Sequence, residues 1–187
     1  TKGIKKILIK KTIDLGLKKI KKNKIGFIDN IFNKILDVLV RKKIKKQFGG
    51  SLKTFVSGGG ALNVDIGLFL NSIGLPTLQG YGLTETSPVV TINPINESFN
   101  GYIGLPVQST EIKIIDDSEN TLGSNQPGEL CVRGPQVMSG YWKITGEENK
   151  YFTDDGYFKT GDIATMNDEG YLKIVDRKKD MIISSGY

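Results

Sequence analysis

An α/β chain that begins with basic helices and ends in a small antiparallel β module is the fold class this sequence predicts. Three observations carry that expectation. Apolar residues recur at three- and four-residue intervals over residues 27–47, which is a helical period. Strand, helix and strand patterns follow one another over residues 52–79, as in a βαβ unit. Beyond about residue 100 only short β-rich runs separated by turn residues remain.

Over residues 4–20, Ile4, Ile7, Leu8, Ile13, Leu15, Leu17 and Ile20 stand among lysines as a ragged helix, weakened by Gly16. Residues 27–47 read as one amphipathic helix, with Ile28, Ile31, Phe32, Ile35, Leu36, Leu39 and Val40 on its apolar face, basic residues 41–46 toward its C-terminal end and Gly49-Gly50 stopping it. That face is expected to pack on the rest of the domain while the lysines stay in water. Residues 52–56 read as a strand, Ser57-Gly58-Gly59-Gly60 as a turn, 64–73 as a helix ended by Gly74, and 76–79 as a second strand. A crossover of this kind makes the strands parallel. The loops at 57–60 and 80–82 then sit at carboxyl ends on one sheet edge, facing one crevice where ligands of open α/β sheets bind. Runs at 111–115, 129–133 and 171–175 are expected to form a small antiparallel sheet or barrel-like subdomain. A short helix is expected at 145–148, where Thr145 and Glu148 stand three apart as in a capping box. The organisation expected is a basic helical segment over 1–50, an α/β subdomain over 51–99, a β subdomain over 100–178, and a hinge over 179–187 leading into a further domain.

Composition narrows the chemistry. Residues 1–53 hold 17 Lys and Arg against 3 Asp and Glu, a net of +14, whereas residues 54–187 hold 9 against 17, a net of −8. The basic character therefore belongs to the first third. There is no histidine, so a Ser-His-Asp triad, a Cys-His pair and histidine metal sites have no place in this chain. A metal would take oxygen ligands, which favours Mg²⁺. The lone Cys131 has no partner for an internal disulfide, which fits a reducing, cytoplasmic setting. No apolar run approaches the length of a membrane-spanning helix, and the start lacks the apolar core of a signal peptide.

Four stretches could carry chemistry: SGGGAL at 57–62, GYGLTETSP at 80–88, GYFKTGD at 156–162 and IVDRKKDMIISSGY at 174–187. Glycines let a backbone approach a ligand closely, a tyrosine between them offers a flat face, and a hydroxyl beside a carboxylate suits a metal-bound oxyanion. In this order, together with the stretch GELCVRGPQVMSGYW at 128–142, they resemble the adenylate-forming enzymes, most closely bacterial long-chain fatty acyl-CoA synthetases. The match is dense from about residue 51 onward.

That resemblance implies two-step activation of a fatty acid. The carboxylate attacks the α-phosphorus of ATP, and the thiol of coenzyme A then displaces AMP. It implies ATP or AMP, Mg²⁺ and coenzyme A as ligands. Gly58, Gly59, Gly60 and Ala61 would line the acyl and adenine region, and Gly80, Tyr81 and Gly82 would present Tyr81 to adenine. Thr84 would bond a phosphate and Glu85 would hold Mg²⁺, the two forming the catalytic pair. Asp162 would accept the ribose hydroxyls, Arg177 would reach ribose or phosphate, and Lys179 would be the hinge. Each has a plainer alternative: Tyr81 as a packed aromatic, Glu85 as a solvated loop charge, Asp162 as a turn former after Lys159-Thr160-Gly161, Lys179 as a surface lysine. The family's Ser/Thr/Gly-rich phosphate loop and its C-terminal catalytic lysine have no counterpart among these residues, so the sequence is expected to be an inactive piece of a longer ligase.

The basic third has its own readings. Lysine-rich amphipathic helices lie on anionic membranes or follow nucleic acid. Only Phe27 and Phe32 stand among those lysines as aromatics, on or near the apolar face, so base stacking has little to work with and nucleic acid is not expected. A transient contact with the inner membrane suits an enzyme of lipid substrates. Two rivals stay open: another adenylate former, such as an aryl-CoA ligase or a fatty acyl-AMP ligase, and a basic binding module with a fortuitous glycine pattern.

Overall fold

Gly16, a weak point for a helix on propensity alone, is where the first helix makes its closest packing contact. Helix α1 (Lys2–Ile20) buries Thr12, Leu15 and Gly16 on one face. A Cβ on Gly16 would stand 2.4 Å from the Ser72 carbonyl oxygen, so only glycine lets the two backbones meet. The structure, a computed structural model, describes residues 2–21, 23–95, 101–144, 146 and 148–177. Its contacts divide the chain into two compact units, Thr1–Gln79 with Pro94–Gly101 and Gly80–Asn93 with Tyr102–Tyr187.

In the first unit, residues 27–47 are helical throughout but not as one regular α-helix. Helix α2 (Phe27–Leu36) passes into a π-helical turn (Asp37–Arg41) and then α3 (Lys42–Gln47). The wider turn shifts the phase of the stripe that follows it. Most of the apolar face expected to pack does not: Ile28 is 70% exposed, as is its neighbour Phe27 at 81%, and Ile31, Phe32, Ile35 and Leu39 are also exposed. The buried positions are Asn33, Leu36 and Val40, which join Leu15, with Leu8 and Ile44 at the edge. The reason lies in Arg41, whose side chain is only 12% exposed. Its Nε donates to the Ser72 carbonyl (2.9 Å) and its Nη2 to the Thr12 carbonyl (3.0 Å). Its Nη1 donates to Asn33 Oδ1 (2.8 Å) and to Asp37 Oδ1 (2.6 Å). A buried guanidinium must satisfy its donors, and the acceptors it uses turn the Asn33 side of α2 inward.

Strand β1 (Phe55–Ser57) follows, then α4 (Val64–Ser72) and β2 (Thr77–Tyr81). The Asn63 side chain caps α4 by accepting from the N–H groups of Asp65 and Ile66. Gly74 ends the segment at φ +87°, where a Cβ would meet the Arg41 Cβ at 2.7 Å. β1 and β2 are parallel, with Phe55 opposite Thr77 and Ser57 opposite Gln79, as the βαβ reading requires. The loop Gly58-Gly59-Gly60-Ala61 that leaves β1 is exposed.

In the second unit, Gly80 and Tyr81 pair antiparallel with β3 (Thr91–Ile92), which pairs in turn with β4 (Leu105–Pro106). Strands β5 (Glu111–Ile115), β6 (Gly128–Arg133), β7 (Phe158–Met166) and β8 (Leu172–Arg177) form an antiparallel sheet in that order. Among the described residues β5 and β8 are not joined, so the sheet is open and not a closed barrel. Val90, Ile103, Ile114, Leu130, Val132, Ala164 and Leu172 make its core. A short helix α5 (Glu148–Tyr151) precedes β7, while Thr145, the cap expected for it, lies outside the described residues. The hinge residue Lys179 also lies outside them.

The Lys159-Thr160-Gly161 stretch, read from sequence as a turn, is instead part of β7. Opposite Leu130 the strand carries Thr160, Gly161 and Asp162, a bulge between the pairs Cys131 with Lys159 and Glu129 with Ile163. Gly161 takes φ +75°, which sequence reasoning assigns to a turn as readily as to a bulge. Side chains stand in for the missing ladder bonds: Thr160 Oγ1 donates to the Leu130 carbonyl (2.8 Å) and Glu129 Oε1 accepts the Gly161 N–H (3.1 Å).

Candidate functional site in the second unit

The loop after β2 is held shut by backbone. A Cβ on Gly82 would lie 1.5 Å from the Pro88 carbonyl oxygen, so the chain passes over a position that has no room for a side chain. Thr84–Thr86 forms one 3₁₀ turn, and the buried hydroxyl of Thr86 accepts the Leu83 N–H at 2.9 Å. Thr86 is therefore a structural hydroxyl, whereas its neighbour Thr84 is exposed. Glu85 is gripped twice from residues 138–141. The Met138 N–H donates to its backbone carbonyl (2.8 Å), and the Tyr141 O–H donates to Oε1 (2.7 Å).

The bulge of β7 aims Asp162 toward Tyr81. Asp162 is 4% exposed, and a carboxylate so buried needs partners. Its Oδ2 accepts the Tyr81 O–H at 2.5 Å, and its Oδ1 faces Arg177 Nε at 3.3 Å, its cross-strand neighbour on β8. Arg177 itself is largely in solvent.

Glu85, Tyr141, Lys159, Asp162 and Arg177 line one cleft of about 690 Å³ in this unit, together with Thr160, Glu129 and Lys150. Tyr141 and Tyr151 meet edge to face there, 4.8 Å between ring centres. Of the residues singled out from sequence, Glu85, Asp162 and Arg177 line this cleft, Tyr81 reaches it through its hydroxyl on Asp162 while its ring packs partly buried against the core, and Gly80 and Gly82 flank Tyr81. Gly58, Gly59, Gly60 and Ala61 belong to the first unit and take no part in this cleft's lining. Tyr141, Glu129 and Thr160 were not singled out. No dipeptide signal could have found Tyr141, because six of the seven tyrosines follow a glycine.

Among the described residues the lining holds three carboxylates, Glu85, Glu129 and Asp162, against three cations, Lys150, Lys159 and Arg177. These formal charges cancel, so a polyphosphate gains little from the cleft alone and a bridging cation would reverse its repulsion from Glu85. No group of three or more metal-ligating side chains converges among the described residues. Glu85 supplies an oxygen donor on the cleft wall, and Mg²⁺ keeps several waters and takes one or two carboxylates plus phosphate oxygens. Aromatic faces, a hydroxyl and charges of both signs fit a nucleotide.

Burial, and then the Asp162 carboxylate, push the Tyr81 phenol well above its ordinary range. Burial followed by Glu85 pushes Tyr141 up to about 12. Burial likewise pushes the Cys131 thiol up to about 12. The folded unit therefore keeps protons that the unfolded chain releases above about pH 9 to 10. Stability contributed by these groups is whole below that range and declines as pH rises through it. Thermal unfolding followed from pH 8 to pH 11 should show a falling Tm, and Cys131 should resist iodoacetamide at pH 8 until the protein is unfolded.

A family model described as AMP-binding enzyme matches residues 2–142, and the chain belongs to that family. Among curated relatives it is 45% identical over 158 residues to the long-chain-fatty-acid–CoA ligase of Escherichia coli O157:H7, covering 83% of this chain and 28% of that protein. It is 38% identical to the ligase of that name from Haemophilus influenzae, covering 99% of this chain and 34% of the relative. The chain thus spans about a third or less of the length of these relatives. Among solved structures, ATP-bound MatB from Rhodopseudomonas palustris superposes with a TM-score of 0.69 at 31% identity, over 76% of this chain and 29% of that one. O-succinylbenzoate coenzyme A synthetase (MenE) from Bacillus subtilis, in complex with ATP and magnesium, gives 0.64 at 34% identity, over 71% and 28%.

Proposed function

We propose that this chain carries part of the nucleotide site of a fatty acid–CoA ligase acting on long acyl chains, with ATP, Mg²⁺ and coenzyme A as its other ligands. The single observation that carries the reading is the linkage of Tyr81 to Asp162, which shares one cleft with Arg177 and Glu85 in the same unit. ATP would supply the activated phosphorus and Mg²⁺ the charge that lets a carboxylate attack it. The chain's own residues bind and orient. Tyr81 packs partly buried against the core and its hydroxyl on Asp162 sets the tilt of the ring, so whatever face it would present to a purine is a fixed one. A carboxylate accepts at about four lone-pair positions, and Asp162 has committed one on each oxygen, leaving others for ribose hydroxyls. Arg177, 63% exposed, supplies a cation beside them for phosphate. Glu85 would hold Mg²⁺, and Thr84, on the same turn, would bond a phosphate oxygen. Gly58, Gly59, Gly60 and Ala61 would border the acyl and adenine region.

These 187 residues contain no Ser/Thr/Gly-rich run ending in Lys-Gly before residue 51, so we expect them to bind nucleotide weakly and to form no acyl-CoA unaided. The test is a titration with millimolar ATP and Mg²⁺ followed by amide NMR. Shifts confined to residues near Tyr81, Glu85 and Asp162 support the reading, and an unmoved spectrum ends it.

A membrane partner is proposed for the first unit. Phe27, Ile28 and Phe32 are exposed on α2 in a segment of high positive charge, the combination that binds anionic lipid. Among the described residues no helix is long and apolar enough to cross a membrane. Flotation with vesicles containing phosphatidylserine should carry the protein, and neutral vesicles should not. Equal, negligible binding to both removes the proposal.

A further inference from the structure

Glu85 sits on a 3₁₀ turn at the cleft edge, where a lone carboxylate would ordinarily rotate freely in water. Here it cannot. Residues 138–141 hold its backbone carbonyl through the Met138 N–H and its Oε1 through the Tyr141 hydroxyl. Tyr141 is in turn set by its edge contact with Tyr151. Two anchors, one on the main chain and one on the side chain, define both the place and the direction of the carboxylate. Oε2 accepts no hydrogen bond among those described, so the oxygen left over is the one a cation would meet.

We propose that Tyr141 is a positioning residue: by donating to Glu85 Oε1 it orients Glu85 so that Oε2 takes the Mg²⁺ carried by a nucleoside triphosphate. The inference rests on the nucleotide reading above. A carboxylate already held at one oxygen loses less freedom when the other binds a cation, and preorganisation of that kind appears as affinity. The Tyr141 ring touches no metal in this scheme and acts only through Glu85, so its effect must vanish when Glu85 can no longer hold a cation.

The experiment measures ATP binding to the 187-residue chain by calorimetry, once with Mg²⁺ and once with EDTA, in the wild type, Tyr141→Phe, Glu85→Gln and the double variant. Phenylalanine keeps the contact with Tyr151 and removes only the hydroxyl, and far-UV circular dichroism and thermal melting check that folding is unchanged. The proposal expects Tyr141→Phe to lose about three- to tenfold of the affinity gained from Mg²⁺, the scale of one oriented hydrogen bond. Binding in EDTA should be unaffected. Adding Tyr141→Phe to Glu85→Gln should cost nothing further. If the wild type gains from Mg²⁺ and Tyr141→Phe gains equally, or if the two substitutions add in full, Tyr141 does not act through Glu85 and the inference is overturned. If the wild type binds no ATP under either condition, the nucleotide reading itself fails and takes this inference with it.

Discussion

Replacing Asp162 with alanine is expected to lower the stability of the second unit by about 2 to 3 kcal/mol and to weaken nucleotide binding about tenfold or more. The stability term comes mainly from Tyr81. Its hydroxyl, directed at a 4% exposed carboxylate, would lose its acceptor in a place water reaches poorly, and an unsatisfied buried hydroxyl costs about 1 to 3 kcal/mol. The Arg177 contact adds little, because that guanidinium is 63% exposed and exposed pairs are worth about 0 to 1 kcal/mol. Asp162→Asn should be milder in stability, since an amide oxygen still accepts from Tyr81, yet should keep most of the binding defect because the charge opposite Arg177 is gone. Denaturation monitored by amide exchange in β7, paired with ATP titration, separates the two effects. Equal nucleotide affinity in wild type and Asp162→Ala would remove Asp162 from the site while leaving its structural role intact.

Arg41→Met is expected to cost the first unit about 3 kcal/mol or more. Arg41 donates to Ser72, Thr12, Asn33 and Asp37, joining α1, α2, the π-helical turn and α4 through one side chain. Methionine fills much of the volume but leaves the Ser72 and Thr12 carbonyls without this donor. Arg41→Lys should recover little, because one ammonium cannot reproduce the angular spread of a guanidinium fork. Almost all of the described helix lies in the first unit, so ellipticity at 222 nm during urea unfolding reports it directly. A midpoint within experimental error of wild type would show that this network is not what holds the helices.

Parts of the architecture were legible because they rest on local spacing. The apolar intervals of α1 and α2, the Gly74 end of α4, and the β-rich runs of β5, β6 and β8 all depend on residues within a few positions of one another. Ordered motifs pointed to Tyr81, Glu85, Asp162 and Arg177 as candidates; Tyr141 and Thr160 lie within the quoted stretches 128–142 and 156–162, but nothing local singled them out. Tyr141 meets Glu85 across 56 positions, and its glycine-tyrosine setting is shared by most tyrosines of the chain.

What the sequence by itself determined is the succession of elements, the parallel βαβ pairing, and the residue types available for chemistry: no histidine, one cysteine, and carboxylates and tyrosines in glycine-rich loops. The tertiary structure alone decided three things. It showed which face of residues 27–47 turns inward, through the acceptors that buried Arg41 requires. It made Gly16 a point of close approach, and it drew Thr160-Gly161-Asp162 into a strand as a bulge. The physical reason is the same in each case. Periodicity records what a segment prefers, whereas a buried donor or carboxylate takes whichever partner the fold brings within reach, however far away in sequence that partner lies.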